Sequence, residues 1–494
     1  MLKKKTSQNI QTAEDKNSAG LGVMALAAIV VSSMIGGGIY SLPQNMAAGA
    51  SAGAVLLAWI ITGFGVYFIA NTFRILSNAR PDLTAGIYMY SREGFGPYIG
   101  FTIGWSYWLC QICGNVGYAV ITMDALNYFF PPYFAGGNNL YSIIGGSILI
   151  WSFNFLVLRG IKQATIINLI GTIGKILPLM LFVIIMAFVF SSDKFSFDFW
   201  GENALTLAKL GGLSTQIKST MLVTLWAFIG IEGAVVMSQH AKSVQSVGRA
   251  TLLGFVTCLA IYVLLSLLPF GYMSQAELAS IPNPSTAGIL EKVVGRWGAW
   301  LMNIGLLISV LSSWLAWTMV TAQIPQAAAE NGTFPKEFAK ENANKAPSVS
   351  LWVTSSLMQI FMLLVYFSNN AWNTMLSITG VMVLPAYLSS SAYLWKICED
   401  HEYPKNISVK RSSALFSGII GCVYALWLIY AAGLKYLLMA VIFMALGIPV
   451  YIWARKQNNP KTKAFSKREC AIAVILVVIS VFAIYAMSTS IIKI

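Results

Sequence analysis

The sequence predicts an all-α membrane protein that crosses the bilayer about twelve or thirteen times. Of its 494 residues, 57% are hydrophobic and 10% are charged, and the mean hydropathy is +0.69, whereas soluble domains carry about 25% charged residues. A spanning helix needs about 20 mostly apolar residues. Thirteen runs of suitable length are candidates: 21–48, 51–76, 97–127, 141–159, 164–190, 219–240, 249–273, 297–322, 351–368, 371–396, 412–432, 434–454 and 470–490.

The basic residues predict the orientation of these spans. If the N-terminus is cytoplasmic, 24 of the 32 lysines and arginines fall on the cytoplasmic side and 7 fall outside. This asymmetry satisfies the positive-inside rule. The formal charge of +14 is therefore explained by membrane topology, and no nucleic-acid partner is expected. The polar residues 1–20 are expected to form a disordered cytoplasmic tail.

Two of the predicted spans contain glycines that break a helix. The first contains Gly36, Gly37 and Gly38 in SSMIGGGIYSLP, and the sixth contains Gly230 and Gly233 in WAFIGIEGAVV. Each glycine weakens a helix by roughly 1 kcal/mol relative to alanine. Glycines can also allow close packing between helices in membranes. Two breaks at matching positions favour a functional role for the breaks over packing alone.

The matching breaks predict two five-helix repeats. Spans one to five (21–190) and six to ten (219–396) would have inverted topology, because an odd number of spans reverses the second unit. The segment 412–490 then adds C-terminal helices. Discontinuous helices at corresponding positions of two halves indicate a transporter binding site near the membrane midplane.

The chemistry of such a break suits an α-amino acid. Free N–H groups at the start of the second half-helix attract a carboxylate, and free carbonyls at the end of the first attract an ammonium group. An amino acid carries both groups on one carbon.

Three motifs, GGGIYSLP, TLWAFIGIEG and QIPQAAAENGTFP, resemble those of the amino acid-polyamine-organocation superfamily, and within it the basic amino acid/polyamine antiporters. The resemblance implies a LeuT-like 5+5 inverted-repeat fold with discontinuous helices 1 and 6. It also implies a multi-pass protein of the bacterial cytoplasmic membrane that works without a cofactor, metal or catalytic group.

The resemblance also implies roles for residues of the two breaks. The first break would bind the substrate carboxylate, and carbonyls of both breaks would bind its amino group. Trp226 and its neighbour Phe228 would close over the substrate. The residues concerned are Ser33, Met34, Ile35, Gly36, Gly37, Gly38, Trp226, Phe228 and Ile229.

Residues of the third and eighth spans would bind the substrate side chain. By the same resemblance, Trp317 stacks on a cationic side chain, and Asn115 approaches its guanidinium group, with Cys110 and Gln111 one turn earlier. A tryptophan face attracts a desolvated cation by about 2 kcal/mol. For Trp317 alone, ordinary packing is the alternative.

Two ionisable residues are expected to serve gating or coupling. Lys175 lies inside the fifth span, where a charge is costly and indicates function by default. The resemblance implies that the Lys175 ammonium forms hydrogen bonds with carbonyls of the first span, in place of a sodium ion. Alternatively, Lys175 carries a proton during transport, or its side chain extends to the membrane interface. Glu232 lies in the sixth-span break. It is expected either to act in gating or proton sensing or to form hydrogen bonds with the unwound backbone.

The predicted function is exchange of a cationic amino acid for a related amino acid or amine, with arginine and ornithine as the leading pair. Histidine/histamine and lysine/cadaverine exchange remain open, as does a proton-coupled symporter or a uniporter. The sequence also leaves open whether the chain forms a homodimer.

Overall fold

The computed structural model describes residues 22–83, 87–160, 164–231, 244–405 and 407–489. Within these ranges the chain is helical. The α-helices, in chain order, are α1 (Val23–Met34), α2 (Leu42–Ala47), α3 (Ala52–Ala79), α4 (Ile87–Phe95), α5 (Pro97–Asn127), α6 (Leu140–Leu158), α7 (Ala164–Phe188), α8 (Ser192–Ser196), α9 (Ala204–Leu210), α10 (Leu213–Trp226), α11 (Val244–Leu267), α12 (Gln275–Ser280), α13 (Ser285–Val294), α14 (Arg296–Glu330), α15 (Ser348–Leu364), α16 (Ala371–Glu399), α17 (Arg411–Ala432), α18 (Leu434–Ala445), α19 (Ile448–Asn458) and α20 (Lys467–Ser488). Short 3-10 helices cover Gly37–Ser41, Ala135–Gly137, Leu268–Gly271, Lys336–Ala339 and Val365–Phe367.

The helices confirm an all-α polytopic membrane protein. In the described part of the chain, 10 helices are long and apolar enough to cross a membrane, and a bent pair in the first span makes up to 11. Two predicted spans remain. In the fifth, the apolar helix Gly174–Phe188 is shorter than a full membrane span. In the sixth, α10 is described, whereas 232–243 lies outside the described residues. Twelve of the thirteen predicted runs therefore coincide with helix in the described part of the chain, and the sixth does so up to Trp226.

The first span is broken where its glycines stand. Helix α1 ends at Met34, and Ile35 and Gly36 are extended. A 3-10 helix then starts at Gly37 and continues into α2, with a bend of 52° between the two halves. Pro43 lies in the first turn of α2, where its missing N–H costs no hydrogen bond.

The sixth span also leaves the α-helical path at the predicted place. Helix α10 ends at Trp226, and the N–H groups of Phe228, Ile229 and Ile231 donate to carbonyls three residues back. Gly230 has φ +103°, a conformation that a residue with a side chain rarely adopts. Gly233, which the sequence also assigns to this break, lies outside the described residues.

The long helices α5, α14 and α16 hold the first break in the interior. Helices α5 and α14 pack against each other, α16 packs along α5, and the 3-10 helix at Gly37–Ser41 contacts both α5 and α14. Helix α11 packs along α1, and α7 packs along α14. The extended backbone is therefore enclosed by protein, as unwound chain at membrane depth requires.

Candidate functional site

A small cavity lies at the meeting point of the two breaks. The residues that line it come from both breaks, from α5, from α14 and from α16: Ser33, Met34, Gly36, Gln111, Gly114, Asn115, Tyr118, Trp226, Ile229, Trp317 and Thr379. Eight of the residues expected to bind substrate are brought together here: Ser33, Met34, Gly36, Gln111, Asn115, Trp226, Ile229 and Trp317.

Helix α5 supplies one continuous face of this cavity. Gln111, Gly114, Asn115 and Tyr118 are spaced by three, one and three residues, so they lie on one side of a helix with 3.6 residues per turn. The Asn115 amide is held in place, because its Nδ2 donates to the Gln111 carbonyl at 2.8 Å and to the Thr321 hydroxyl at 3.0 Å.

Polar atoms in this wall are left without a protein partner. Asn115 Oδ1, Gln111 Nε2 and Thr379 Oγ1 are buried and form no hydrogen bond with the described residues. A buried polar group without a partner costs about 1–3 kcal/mol. Three such groups around one cavity are available to form hydrogen bonds with a polar ligand.

Two tryptophans form the other walls. Trp226 and Trp317 are half-buried, and the Trp226 ring packs edge-on against Trp372, with ring centroids 5.5 Å apart. Their exposed faces can stack on a guanidinium group.

The two breaks are tied to each other directly. The Ser33 hydroxyl donates to the Gly230 carbonyl at 3.1 Å and to the Val30 carbonyl at 2.8 Å. A Cβ on Gly230 would lie 3.0 Å from the Ser33 carbonyl oxygen. The absence of a side chain at Gly230 therefore allows the two backbones to approach this closely.

The three consecutive glycines have different neighbours. A Cβ on Gly36 would lie 2.8 Å from the Tyr118 hydroxyl, a Cβ on Gly37 would overlap Val310, and a Cβ on Gly38 would overlap the rings of Trp226 and Trp372. The first N–H groups of a helix have no acceptor within that helix. Gly37 and Gly38 thus stand at the start of the 3-10 helix, where a side chain on either residue would displace a neighbouring side chain.

Lys175 is buried and reaches the first span. Its ammonium donates to the Ser32 carbonyl at 3.1 Å and lies 3.4 Å from the Ser32 hydroxyl. One turn beyond the break, the Tyr40 hydroxyl donates to the Lys175 carbonyl at 3.2 Å. The described structure thus has the lysine-to-carbonyl contact that the resemblance implied, and its part in transport stays a prediction.

Three of the expected substrate-binding residues point elsewhere. Phe228 is buried against Trp59 and Tyr262 and does not line the cavity. Cys110 precedes Gln111, so it is rotated about 100° around α5, and its thiol donates to the Thr379 carbonyl behind the cavity wall. The Ile35 side chain is fully buried in the hydrophobic core, whereas the role expected of Ile35 belongs to its backbone carbonyl and stays a prediction.

Gly37 and Gly38 also lie outside the cavity lining, and Glu232 lies outside the described residues. The structure adds Gly114, Tyr118 and Thr379, which sequence reasoning had not assigned to the site. Gly114 and Tyr118 could have been found from the face they share with Gln111 and Asn115. Thr379 belongs to the tenth span, and only the packing of α16 against α5 places it here.

The cavity is smaller than an amino acid. Its volume is about 40 Å³, room for about three water molecules, whereas ligand sites usually enclose about 300–1,000 Å³. Binding an amino acid therefore requires side chains or helices to move. The half-buried rings of Trp226 and Trp317 are suited to do so.

Known proteins resemble this chain over nearly its full length. A family model described as amino acid permease matches residues 21–437. A Chlamydia pneumoniae protein named arginine/agmatine antiporter is 65% identical over 98% of this chain and 100% of its own length. Proteins of the same name from Chlamydia abortus and Chlamydia trachomatis serovar L2 are 64% and 60% identical, over 96% and 95% of this chain and 98% and 97% of their own lengths.

Proposed function

From the premise that this chain belongs to the amino acid permease family, as an antiporter of the basic amino acid branch of the amino acid-polyamine-organocation superfamily, we propose that it exchanges extracellular arginine for intracellular agmatine. The observation that carries the proposal is the set of unpaired buried polar atoms at the cavity, beside two tryptophan faces. The names of the Chlamydia relatives support the same pair.

A guanidinium group fits this set of atoms. It has five N–H donors in one plane, so it can donate to Asn115 Oδ1 and to Thr379 Oγ1 while its face stacks on Trp317. A neutral amide oxygen accepts such bonds without the cost of burying a carboxylate.

The shared guanidinium favours agmatine over ornithine as the counter-substrate. Arginine and agmatine carry the same planar group, so both can use the same acceptors and the same ring. Ornithine ends in a compact ammonium group, which lacks the planar fork. The leading pair expected from sequence, arginine and ornithine, is therefore replaced in this proposal by arginine and agmatine.

The carboxylate distinguishes the two substrates. Arginine has one, which would interact with the N–H groups at the start of the 3-10 helix after Gly36. Agmatine has none and carries two positive charges, so one cycle moves one net positive charge out of the cell. Exchange of arginine for ornithine would move no net charge.

Transport would follow alternating access. With the N-terminus on the cytoplasmic side, as the distribution of basic residues favours, the substrate is enclosed beneath Trp226 and released inward when the helix bundles rock against each other. In this scheme Lys175 holds the end of α1 through Ser32, in the place of a bound sodium ion.

The test is exchange in proteoliposomes loaded with agmatine, with ornithine or with nothing. We expect uptake of labelled arginine to need an internal counter-substrate, to be fastest with agmatine and to accelerate under an inside-positive membrane potential. Faster uptake with ornithine and no response to the potential would refute this pair. Arginine accumulation in empty vesicles under a pH gradient would refute exchange altogether.

Asn115 offers a matched pair of variants for this assay. Asn115→Ala removes the unpaired acceptor, and since a hydrogen bond to a charged group contributes about 1.5–3 kcal/mol, arginine affinity should fall roughly 10- to 150-fold. Asn303→Ala is the control, because Asn303 is also buried on a helix and its Nδ2 also donates to the carbonyl four residues back. It lies about 21 Å along α14 from Trp317, and its variant should bind arginine normally.

A further inference from the structure

A second, larger cavity lies away from the substrate site, where four helix ends meet. Its volume is about 960 Å³, and it lies between the ends of α4 and α16 and the starts of α5 and α20. Five basic side chains line it: Lys396, Arg455, Lys463, Lys467 and Arg468. This set is called the basic pocket below.

The described residues leave most of the positive charge of the basic pocket unbalanced. Glu469 is its single acidic lining residue, and both of its carboxylate oxygens are engaged by backbone N–H groups: Oε2 accepts from Ser466 at 2.8 Å and Oε1 from Tyr98 at 2.9 Å. Both ion pairs in the described part of the chain belong to Arg80. None of the five cations therefore has a carboxylate partner there.

The local geometry also favours an anion. Helices α5 and α20 both begin at this cavity, and the dipole of each helix gives its start a partial positive charge. Arg455 Nε is buried without an acceptor among the described residues, although such groups are normally paired. Lys396 is held beside the cavity by its bond to the Gly94 carbonyl at 2.8 Å.

The apolar surface beside these charges indicates a lipid. Phe95 and Ile472 line the same cavity and are about 40% exposed. Helix α20 continues from there as a span with only 22% of its apolar window buried, which is typical of a helix that faces lipid. A phosphate at the basic pocket would thus leave its acyl chains beside α20.

We propose that the basic pocket binds the phosphate group of an anionic phospholipid. Basic pockets between spanning helices are suited to such head groups. The bound lipid would join the C-terminal helix α20 to α16 and α19, because Lys396 lies near the end of α16, Arg455 near the end of α19, and Lys467 and Arg468 at the start of α20. This site is independent of the substrate cavity and of the identity of the exchanged pair.

The test uses the full-length protein in neutral detergent, titrated with cardiolipin, phosphatidylglycerol or phosphatidylcholine. Bound lipid is counted by native mass spectrometry, and thermal stability is followed in parallel. We expect the two anionic lipids to bind and to raise the melting temperature, and phosphatidylcholine to do neither. Equal binding of all three lipids would overturn the proposal.

Charge-matched variants locate the site. The triple variant Lys463→Gln, Lys467→Gln and Arg468→Gln should lose about 100-fold in affinity for the anionic lipids, because each cation near an anionic head group contributes about a fivefold gain. The control removes three exposed lysines outside the basic pocket, as Lys405→Gln, Lys456→Gln and Lys461→Gln, and should bind lipid like the unmodified protein. Equal losses in both variants would show a general charge effect and refute the site.

Two further arms complete the test. Inorganic phosphate at millimolar concentration should give no stabilisation, and stabilisation equal to that by the lipids would mean a free-phosphate site and overturn the lipid assignment. If the triple variant does not fold, the single variant Arg468→Glu replaces it. It should lose at least fivefold in affinity for cardiolipin while arginine binding stays unchanged, and unchanged cardiolipin affinity would refute the proposal.

Discussion

Adding one methyl group at Gly38 should impair transport through the Trp226 ring. In the structure, a Cβ at this position would overlap the ring ends of both Trp226 and Trp372, and the overlap with Trp226 is the closer one. The overlap involves side-chain atoms, so Gly38→Ala can be accommodated only if a tryptophan moves. Trp226 is the half-buried ring of the two, and it forms a wall of the substrate cavity.

The magnitude follows from the cost of overpacking. Extra methyl groups in a packed interior cost typically about 1–3 kcal/mol. If this cost falls on the state in which Trp226 closes over the substrate, kcat/KM for arginine should fall about 5- to 150-fold. The control is Gly117→Ala on α5, where a Cβ would make an ordinary contact of 3.5 Å with the same Trp372 ring. That variant should transport normally.

Initial rates of labelled arginine uptake into agmatine-loaded proteoliposomes would measure the effect. The mechanism is tested by repeating Gly38→Ala in a Trp226→Leu background, where the ring that the methyl group displaces is gone. The penalty of Gly38→Ala should then shrink by more than half. If the two substitutions are simply additive, the contact with Trp226 is not the cause and the reasoning fails.

Three other variants test the sixth-span break, the Lys175 contact with the first span and the ion pair between Arg80 and Asp82. Gly230→Ala should lower thermal stability more than Gly433→Ala. Both residues have positive φ, but only at Gly230 would the new Cβ meet backbone, at 3.0 Å. Equal losses in melting temperature would contradict this. Lys175→Gln should reduce arginine exchange at least tenfold, since it removes the charge that holds the end of α1. Size-exclusion chromatography should show that the variant stays folded. Normal exchange would show that this contact is dispensable. The Arg80 guanidinium holds the pKa of the Asp82 carboxyl below its usual value, so the stability from this pair is present at neutral pH and is lost as the pH falls through that lowered pKa. Asp82→Asn should therefore destabilise slightly at pH 7, by less than about 1 kcal/mol for an exposed pair, and progressively less as the pH falls. A loss of stability that does not change with pH would refute the linkage.

The spans and the two breaks were predictable because they depend on local chemistry. Apolar length decides whether a helix can cross a membrane, and consecutive glycines decide where it stops being regular. The end of α1 at Met34 and the positive φ of Gly230 confirm the two predicted places.

The direction of individual side chains was predictable only in part. Helical periodicity alone separates Gln111 and Asn115, which face the cavity, from Cys110, which does not. The path after Trp226 has no such periodicity, and the resemblance alone could not show that Phe228 turns away into an aromatic cluster.

The sequence by itself determined that this chain is a polytopic helical membrane protein with two interrupted helices, and its motifs resembled those of a family that exchanges basic amino acids. Only the tertiary structure decided which atoms meet. The hydrogen bond between Ser33 and Gly230, the position of Thr379 beside Gly114 and the gathering of five cations at one cavity join residues that are far apart in the chain. Such contacts depend on how helices pack, because each helix pattern shows which face is apolar but does not specify which other helix covers it.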